Sequence, residues 1–296
     1  MPGLKARSEA GASMVVKRAL RLPIQLVNPV GDHLEEYARE NLKRHSDVPM
    51  VEADCFHGQV LALCGAGPSL NGVMYPADQV WGCNSAMTWL YGNGPEWMTP
   101  DMLTGIGIDQ TDGMLRDWET APPVTYYVAT TCDPKLIDHL KAHDREIRFF
   151  HNMVGFDGEL EHYREEWAPS FMVATGATVV GRTIGLAAWM GFRRVDVYGA
   201  DCSFGPEDIA HANGDTCEEA YGQTMTLQGQ VGGRTWKVRA DMLMSAVDLV
   251  RRLNEHPGRI RLMGDTLPVA LMGMDDEYLD LVIRRLEPGE KPPNGE

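Results

Sequence analysis

The sequence predicts an α/β fold: a Rossmann-like three-layer sandwich on a mostly parallel sheet, with a small helical N-terminal appendage and a β-hairpin excursion. Three observations predict it. From Gly58 onward, short apolar runs alternate with helix-length segments, the pattern of strands joined by crossover helices. The runs are apolar throughout rather than alternating, as strands buried on both faces require. The first of them leads directly into a glycine-rich turn, and open α/β sheets bind ligands at such strand ends.

The elements follow in chain order. Residues 1–57 read as the appendage, with helices at 11–22 and 32–44; Asp32 is a candidate N-cap, and Leu34, Tyr37, Ala38 and Leu42 share one face of the second helix. The main domain covers 58–273. Its candidate strands are 59–64 (QVLALC), 79–82 (QVWG), 102–108, 125–130 (TYYVAT), 147–150 and 194–198 (RVDVY). A helix at 133–143 opens Asp-Pro-Lys, an N-cap followed by proline in the first turn. The segment 177–190 is apolar nearly all round and so belongs at the centre. Residues 241–254 form an amphipathic helix. In 227–238, Gly232-Gly233 separates two short runs, which reads as a hairpin. Residues 274–296 complete the chain as a C-terminal helix and a tail, EPGEKPPNGE, whose polar, proline-rich composition does not support a core.

Composition narrows the function. Of 296 residues, 27 are Lys or Arg and 42 are Asp or Glu, a formal net charge of −15. A field of that sign repels nucleic acid and anionic membranes. It leaves room for a small anionic ligand, because backbone N–H groups at a turn or helix start hold phosphate without many lysines. The cysteines show no C-x-x-C pair and no zinc-ligand spacing, which suits free thiols in a reducing compartment. No stretch approaches the roughly 20 apolar residues needed to span a bilayer. The first residues are broken by Arg18, Arg21 and Pro23 before an apolar region forms, a poor secretory signal. The expectation is a cytoplasmic protein, with homo-oligomerisation left open.

Four constellations carry the chemistry. In QVLALCGAGPSL, Gly65 and Gly67 allow close backbone approach to a phosphate, Pro68 fixes the turn and Ser69 offers a hydroxyl. The turn is neither G-x-G-x-x-G nor a Walker loop, and no ribose-reading acid follows it, which argues against a dehydrogenase. In WGCNSA, Asn84 arrives beside that turn and either reads a nucleotide or caps a helix. In GIGID, Asp109 ends a strand, placed for Mg²⁺, for a ribose hydroxyl, or for capping the next segment. In ATGATVVGRTIGLAAWMGFRRVDVYGADCSF, Thr175 and Gly176 open the central helix with free N–H groups, and the next strand ends at Asp201. His211 follows, and an aspartate and a histidine meeting at a strand end suit a general base, a phosphate contact or a metal ligand.

Together with HANGD, these segments resemble the domain shared by archaeal-type 6-hydroxymethylpterin diphosphokinases and bacterial motility accessory factors, the flagellin glycosyltransferases. More distantly, the GPSL turn and the CN step resemble bacterial sialyltransferases that use a CMP-linked sugar. The likeness covers about 58–273. It implies that Gly65, Gly67, Pro68 and Ser69 cradle donor phosphates, that Asn84 contacts the nucleotide, and that Asp109 sits in the same cleft. It further implies that Gly176 holds the helix start against the ligand, that Asp201 and His211 face the reacting end, and that 229–236 is the family's hairpin. Ala66 stands where the sialyltransferase pattern has asparagine, which places the chain nearer the first two groups. The implied activity is transfer from a nucleotide-activated donor, either diphosphate from ATP or sugar from a nucleotide sugar, with Asp109 and Asp201 as candidate Mg²⁺ ligands and the acceptor undetermined. The alternative is a non-catalytic nucleotide-binding or assembly protein that keeps the fold.

Overall fold

The computed structural model describes residues 33–153, 172–173, 178–222, 226–231, 234–256 and 258–272. They lie in one compact unit, Leu26–Gly273. Its centre is an eight-stranded sheet: β1 (Val60–Cys64), β2 (Gln79–Cys83), β3 (Leu103–Gly107), β4 (Thr125–Ala129), β5 (Ile147–Asn152), β6 (Met172–Val173), β7 (Arg194–Tyr198) and β10 (Ile260–Leu262). The order is β10-β7-β1-β2-β3-β4-β5-β6, and every pairing is parallel. The chain therefore steps outward from β1 to β6, then returns to lay β7 on the other side of β1. That reversal makes the carboxyl ends of β1 and β7 the topological switch point, the crevice where such sheets take ligands.

The burial of these strands explains why they read as apolar runs. All five residues of β1 and all five of β3 are buried, as in a sheet covered on both faces. On one face lie α2 (Ser85–Asn93), α3 (Gly113–Asp117) and α4 (Pro134–Ala142), each touching the next or the sheet, with α1 (His33–Arg44) outside α4. The approach of α2 is close: a Cβ on Gly82 would stand 2.5 Å from the Cα of Met87. On the other face α5 (Val179–Trp189) touches β1 and β3 and is backed by α7 (Ala240–Glu255). Trp81 and Phe192 meet edge to face within this core at 5.1 Å between ring centroids.

The first helix is tied down by a polar contact as well as by Leu34 and Ala38. Buried Asn41 donates to the carbonyls of Thr130 (2.9 Å) and Cys132 (2.8 Å) just past β4. The α4 cap is the one its sequence predicts, with the Asp133 side chain accepting from Lys135 N at 2.9 Å. The hairpin pairs β8 (Leu227–Val231) with β9 (Arg234–Val238) antiparallel, while its expected glycine tip lies outside the described residues. Helix α6 (Cys217–Tyr221) carries a capping box between Thr216 and Glu219, and α8 (Leu267–Leu271) packs on α7.

The expected central helix over 177–190 starts later. It begins at Val179 with Thr178 as N-cap, the Thr178 hydroxyl accepting from Gly181 N at 3.1 Å. Thr175 and Gly176, expected to open it, lie outside the described residues, as do the helix at 11–22 and the tail. No helix among the described residues is long and apolar enough to cross a membrane. All six cysteines are free, and Cys64, Cys83 and Cys132 are buried.

Candidate functional site

The glycine turn is built on β7. Gly65 N donates to Tyr198 O (2.8 Å) and Gly67 N to Gly199 O (2.9 Å), so the exits of β1 and β7 are laced backbone to backbone. Side chains have no room between them. A Cβ on Gly65 would stand 2.6 Å from Gly199 O, and one on Gly67 2.2 Å from Asp201 Oδ2. Glycine stands at both positions because the next strand's exit fills the space, a reason that exists before any ligand arrives.

Asp201 fills the turn's inner face. Its Oδ2 accepts from Ser69 Oγ (2.8 Å) and Ser69 N (3.2 Å). Asp201 is 7% exposed, and burial pushes its pKa above the ordinary aspartate range, with the Ser69 hydrogen bonds partly offsetting that rise. Ser69 and Asp201 come together, but they are bonded to each other. The hydroxyl assigned to a donor phosphate is engaged by an internal anion. Within Gly65–Leu70, the amides of Gly65, Gly67, Ser69 and Leu70 have internal acceptors, while the Ala66 amide has none among the described residues.

A long excursion after β7 brings His211 back over this turn. Ile209 and Thr216 pair across it, and Ala212 N donates to Ala66 O at 2.8 Å. Asn71 Nδ2 holds Ala212 O at 3.0 Å. His211 is thereby fixed above the end of β1, its side chain 26% exposed and its Nδ1 3.6 Å from Asp215 Oδ2.

Asn84 stands at the end of the neighbouring strand, in the N-cap position of the next helix. It precedes α2, yet its side chain makes no cap hydrogen bond. Its backbone is at φ 50, ψ −125, a conformation costly for a residue with a Cβ. Asn84 N donates to Ile106 O (3.0 Å) and Asn84 O accepts from Trp118 Nε1 (2.9 Å), while Oδ1 is buried with no hydrogen-bond partner among the described residues. An orphaned buried acceptor beside the switch point is suited to a ligand donor.

Asp109 is exposed beyond β3, its Oδ1 accepting from Thr111 N at 3.0 Å. It is not beside Asp201: β7 and β3 are separated by β1 and β2, about 14 Å at ordinary strand spacing. One ion shared by those two carboxylates has no support in this arrangement. Among the described residues no group of three His, Cys, Asp or Glu side chains is placed to hold a metal.

Sequence reasoning missed Asp117 at the end of α3. Burial raises its pKa above the ordinary range, while Arg116 and His211 oppose the rise and Asp109 and Asp215 add to it. The same residue is anchored to the site by its backbone, with Thr88 Oγ1 donating to Asp117 O at 2.6 Å. Nothing in the sequence marks it, because its neighbours arrive from other elements. Arg234 was also missed; it lies over the Trp236 ring at 4.2 Å and is ion-paired with Asp265. A separate cleft of about 710 Å³ opens along the excursion, between Glu207, Asp208, Glu218 and Lys237, and none of the expected site residues lines it.

No family model matches the chain, and no curated protein matches it. Among solved structures it is similar to the MAf glycosyltransferase from Magnetospirillum magneticum AMB-1, with a TM-score of 0.54 at 12% identity. The match covers 84% of this chain and 42% of that protein, so the chain spans less than half of its neighbour's length. At that identity the likeness establishes the shared α/β fold.

Proposed function

We propose that this chain is a transferase that takes a sugar from a nucleotide-activated donor lying across the carboxyl ends of β1 and β2. The observation that carries the reading is the Ala212 N to Ala66 O hydrogen bond at 2.8 Å, which clamps a histidine-bearing loop onto the glycine turn at the switch point. The site then holds, among the described residues, a backbone amide at Ala66 without an acceptor, a buried acceptor at Asn84 Oδ1 without a donor, and an imidazole at His211. The amide suits a donor phosphate and the Asn84 oxygen suits a ribose hydroxyl or a base amino group. His211 is the base that accepts a proton from the acceptor. The glycosyltransferase neighbour favours sugar over diphosphate as the transferred group. Asp109, exposed beyond β3, is the carboxylate open to a Mg²⁺ on a donor diphosphate, whereas Asp201 is committed to Ser69.

A thermal-shift screen of nucleotides and nucleotide sugars, with and without Mg²⁺, tests the reading. A ligand at about 100 times its Kd adds about 2.7 kcal/mol to the native state. Such a gain raises Tm by roughly 5–10 °C for a chain of this size. The shift is expected in the native sequence and to be lost in Asn84→Gly. A screen in which no nucleotide moves Tm, at concentrations up to several millimolar, contradicts the proposal.

A further inference from the structure

We infer that Asp215 is a positioning residue for His211, holding its Nδ1 so that Nε2 is the atom presented to an acceptor hydroxyl. This rests on the transferase reading for its chemistry, but its geometry is local. Asp215 Oδ2 lies 3.6 Å from His211 Nδ1 and accepts from Asn213 Nδ2 at 2.8 Å. The carboxylate is itself held in place: Asp215 N donates to Asn213 Oδ1 (3.1 Å), and Asp215 O accepts from Ala210 N (2.7 Å) and His211 N (3.4 Å). The turn closes through Gly214 at φ +94, a left-handed conformation that glycine takes freely. Because Ala212 is bonded to Ala66 and to Asn71, the Asn213–Asp215–His211 unit is fixed relative to the β1 turn rather than hanging in solvent.

An imidazole oriented by a carboxylate on its far nitrogen is a recurring arrangement for removing a hydroxyl proton. In the step assigned here, the acceptor O–H proton passes to His211 Nε2 while that oxygen bonds to the sugar's anomeric carbon. The bond from that carbon to the donor's phosphate oxygen breaks, and its electron pair leaves with the phosphate. The acceptor class is accordingly an alcohol, a sugar or hydroxyl-bearing side chain, rather than an amine that is already a nucleophile. Asp215 lies beside the imidazole from its own loop, and Asp117 at the end of α3 interacts with it electrostatically, as it does with Arg116, Asp109 and Asp215.

The test is long-range proton–nitrogen NMR of the His211 imidazole in the full-length protein at alkaline pH, assigned against His211→Gln, which reads which ring nitrogen carries the hydrogen. In the native protein the hydrogen is expected on Nδ1, leaving Nε2 as the acceptor. In Asp215→Asn the other tautomer, with the hydrogen on Nε2, is expected to gain at its expense. Asp215→Glu is expected to restore part of the native tautomer and serves if the asparagine variant does not fold. Where a nucleotide sugar from the screen is turned over, Asp215→Asn should lower kcat by roughly tenfold to a hundredfold with little change in KM. An unchanged His211 tautomer in a folded Asp215 variant overturns the inference. A changed tautomer together with no nucleotide binding keeps the positioning role and sinks the donor assignment.

Discussion

Gly67→Ala isolates the packing of the site from its chemistry. Gly67 has φ −65 and ψ 159, which alanine adopts readily, so the whole effect comes from the added methyl. That carbon would stand 2.2 Å from Asp201 Oδ2 and 2.7 Å from Gly199 O. Neither atom is the loose end of a flexible chain, since the carboxylate is buried and Gly199 O accepts from Gly67 N itself. Pushing the β7 exit aside costs about 1–3 kcal/mol as overpacking. Breaking the Ser69 hydrogen bonds to a buried carboxylate costs about 1–3 kcal/mol more. The expected loss is therefore roughly 2–6 kcal/mol, or a Tm lower by about 5–20 °C. Urea unfolding followed by the fluorescence of buried Trp81 and Trp118 measures it directly. Gly185→Ala on α5 is the control, because nothing lies within 4 Å of its added carbon. That variant should be stabilised by up to about 1 kcal/mol. If Gly67→Ala unfolds within about 0.5 kcal/mol of the native protein, the turn does not pack on Asp201 and the site built here is wrong.

Three further outcomes are expected. Burial raises the Asp201 carboxyl above its unfolded value of 3.8, so its contribution to stability is present below that pH and lost as pH rises through the folded value. Asp201→Asn, which keeps an acceptor for Ser69 and cannot ionise, should gain on the native protein as pH is raised above 3.8, whereas Asp201→Ala should cost about 1–3 kcal/mol; denaturant titrations at several pH values compare them. Asn84→Gly relieves backbone strain worth about 1–3 kcal/mol, so calorimetry should find it at least as stable as the native chain even as nucleotide binding disappears. Asn41→Leu removes two buried hydrogen bonds to the carbonyls past β4 and should cost about 1–3 kcal/mol in chemical unfolding, with hydrogen exchange rising first in α1.

The interior of the sheet was legible because doubly covered strands leave continuous apolar runs. β1, β2, β3, β4, β5 and β7 fall inside or within a residue or two of those runs. β10, with an arginine between Ile260 and Leu262, and the two-residue β6 carry too little pattern to be read. α2 went unassigned because SAMTWLYGN has no side-chain cap and no charged face, and α3, α6 and α8 are five residues each. Within the site, the glycine turn, Asn84 and the His211 loop could be found since strand ends mark them. Their pairings could not be. That Asp201 would occupy the turn and engage Ser69 depends on which strand returns beside β1, and Asp117 comes within electrostatic reach of His211 only through two excursions whose lengths say nothing of where they dock.

The return of β7 to the side of β1 sets when the site can exist during synthesis. Ser69 and Asp201 are 132 residues apart in the chain, and Asn71 and Ala212 are 141 apart. Everything from β2 to β6 emerges from the ribosome and can stack outward while the glycine turn has no floor. Loop closure on that scale is slow, so the last inner strand to dock should limit the rate of folding. A nascent or truncated chain that ends before β7 lacks the crevice between the exits of β1 and β7 altogether.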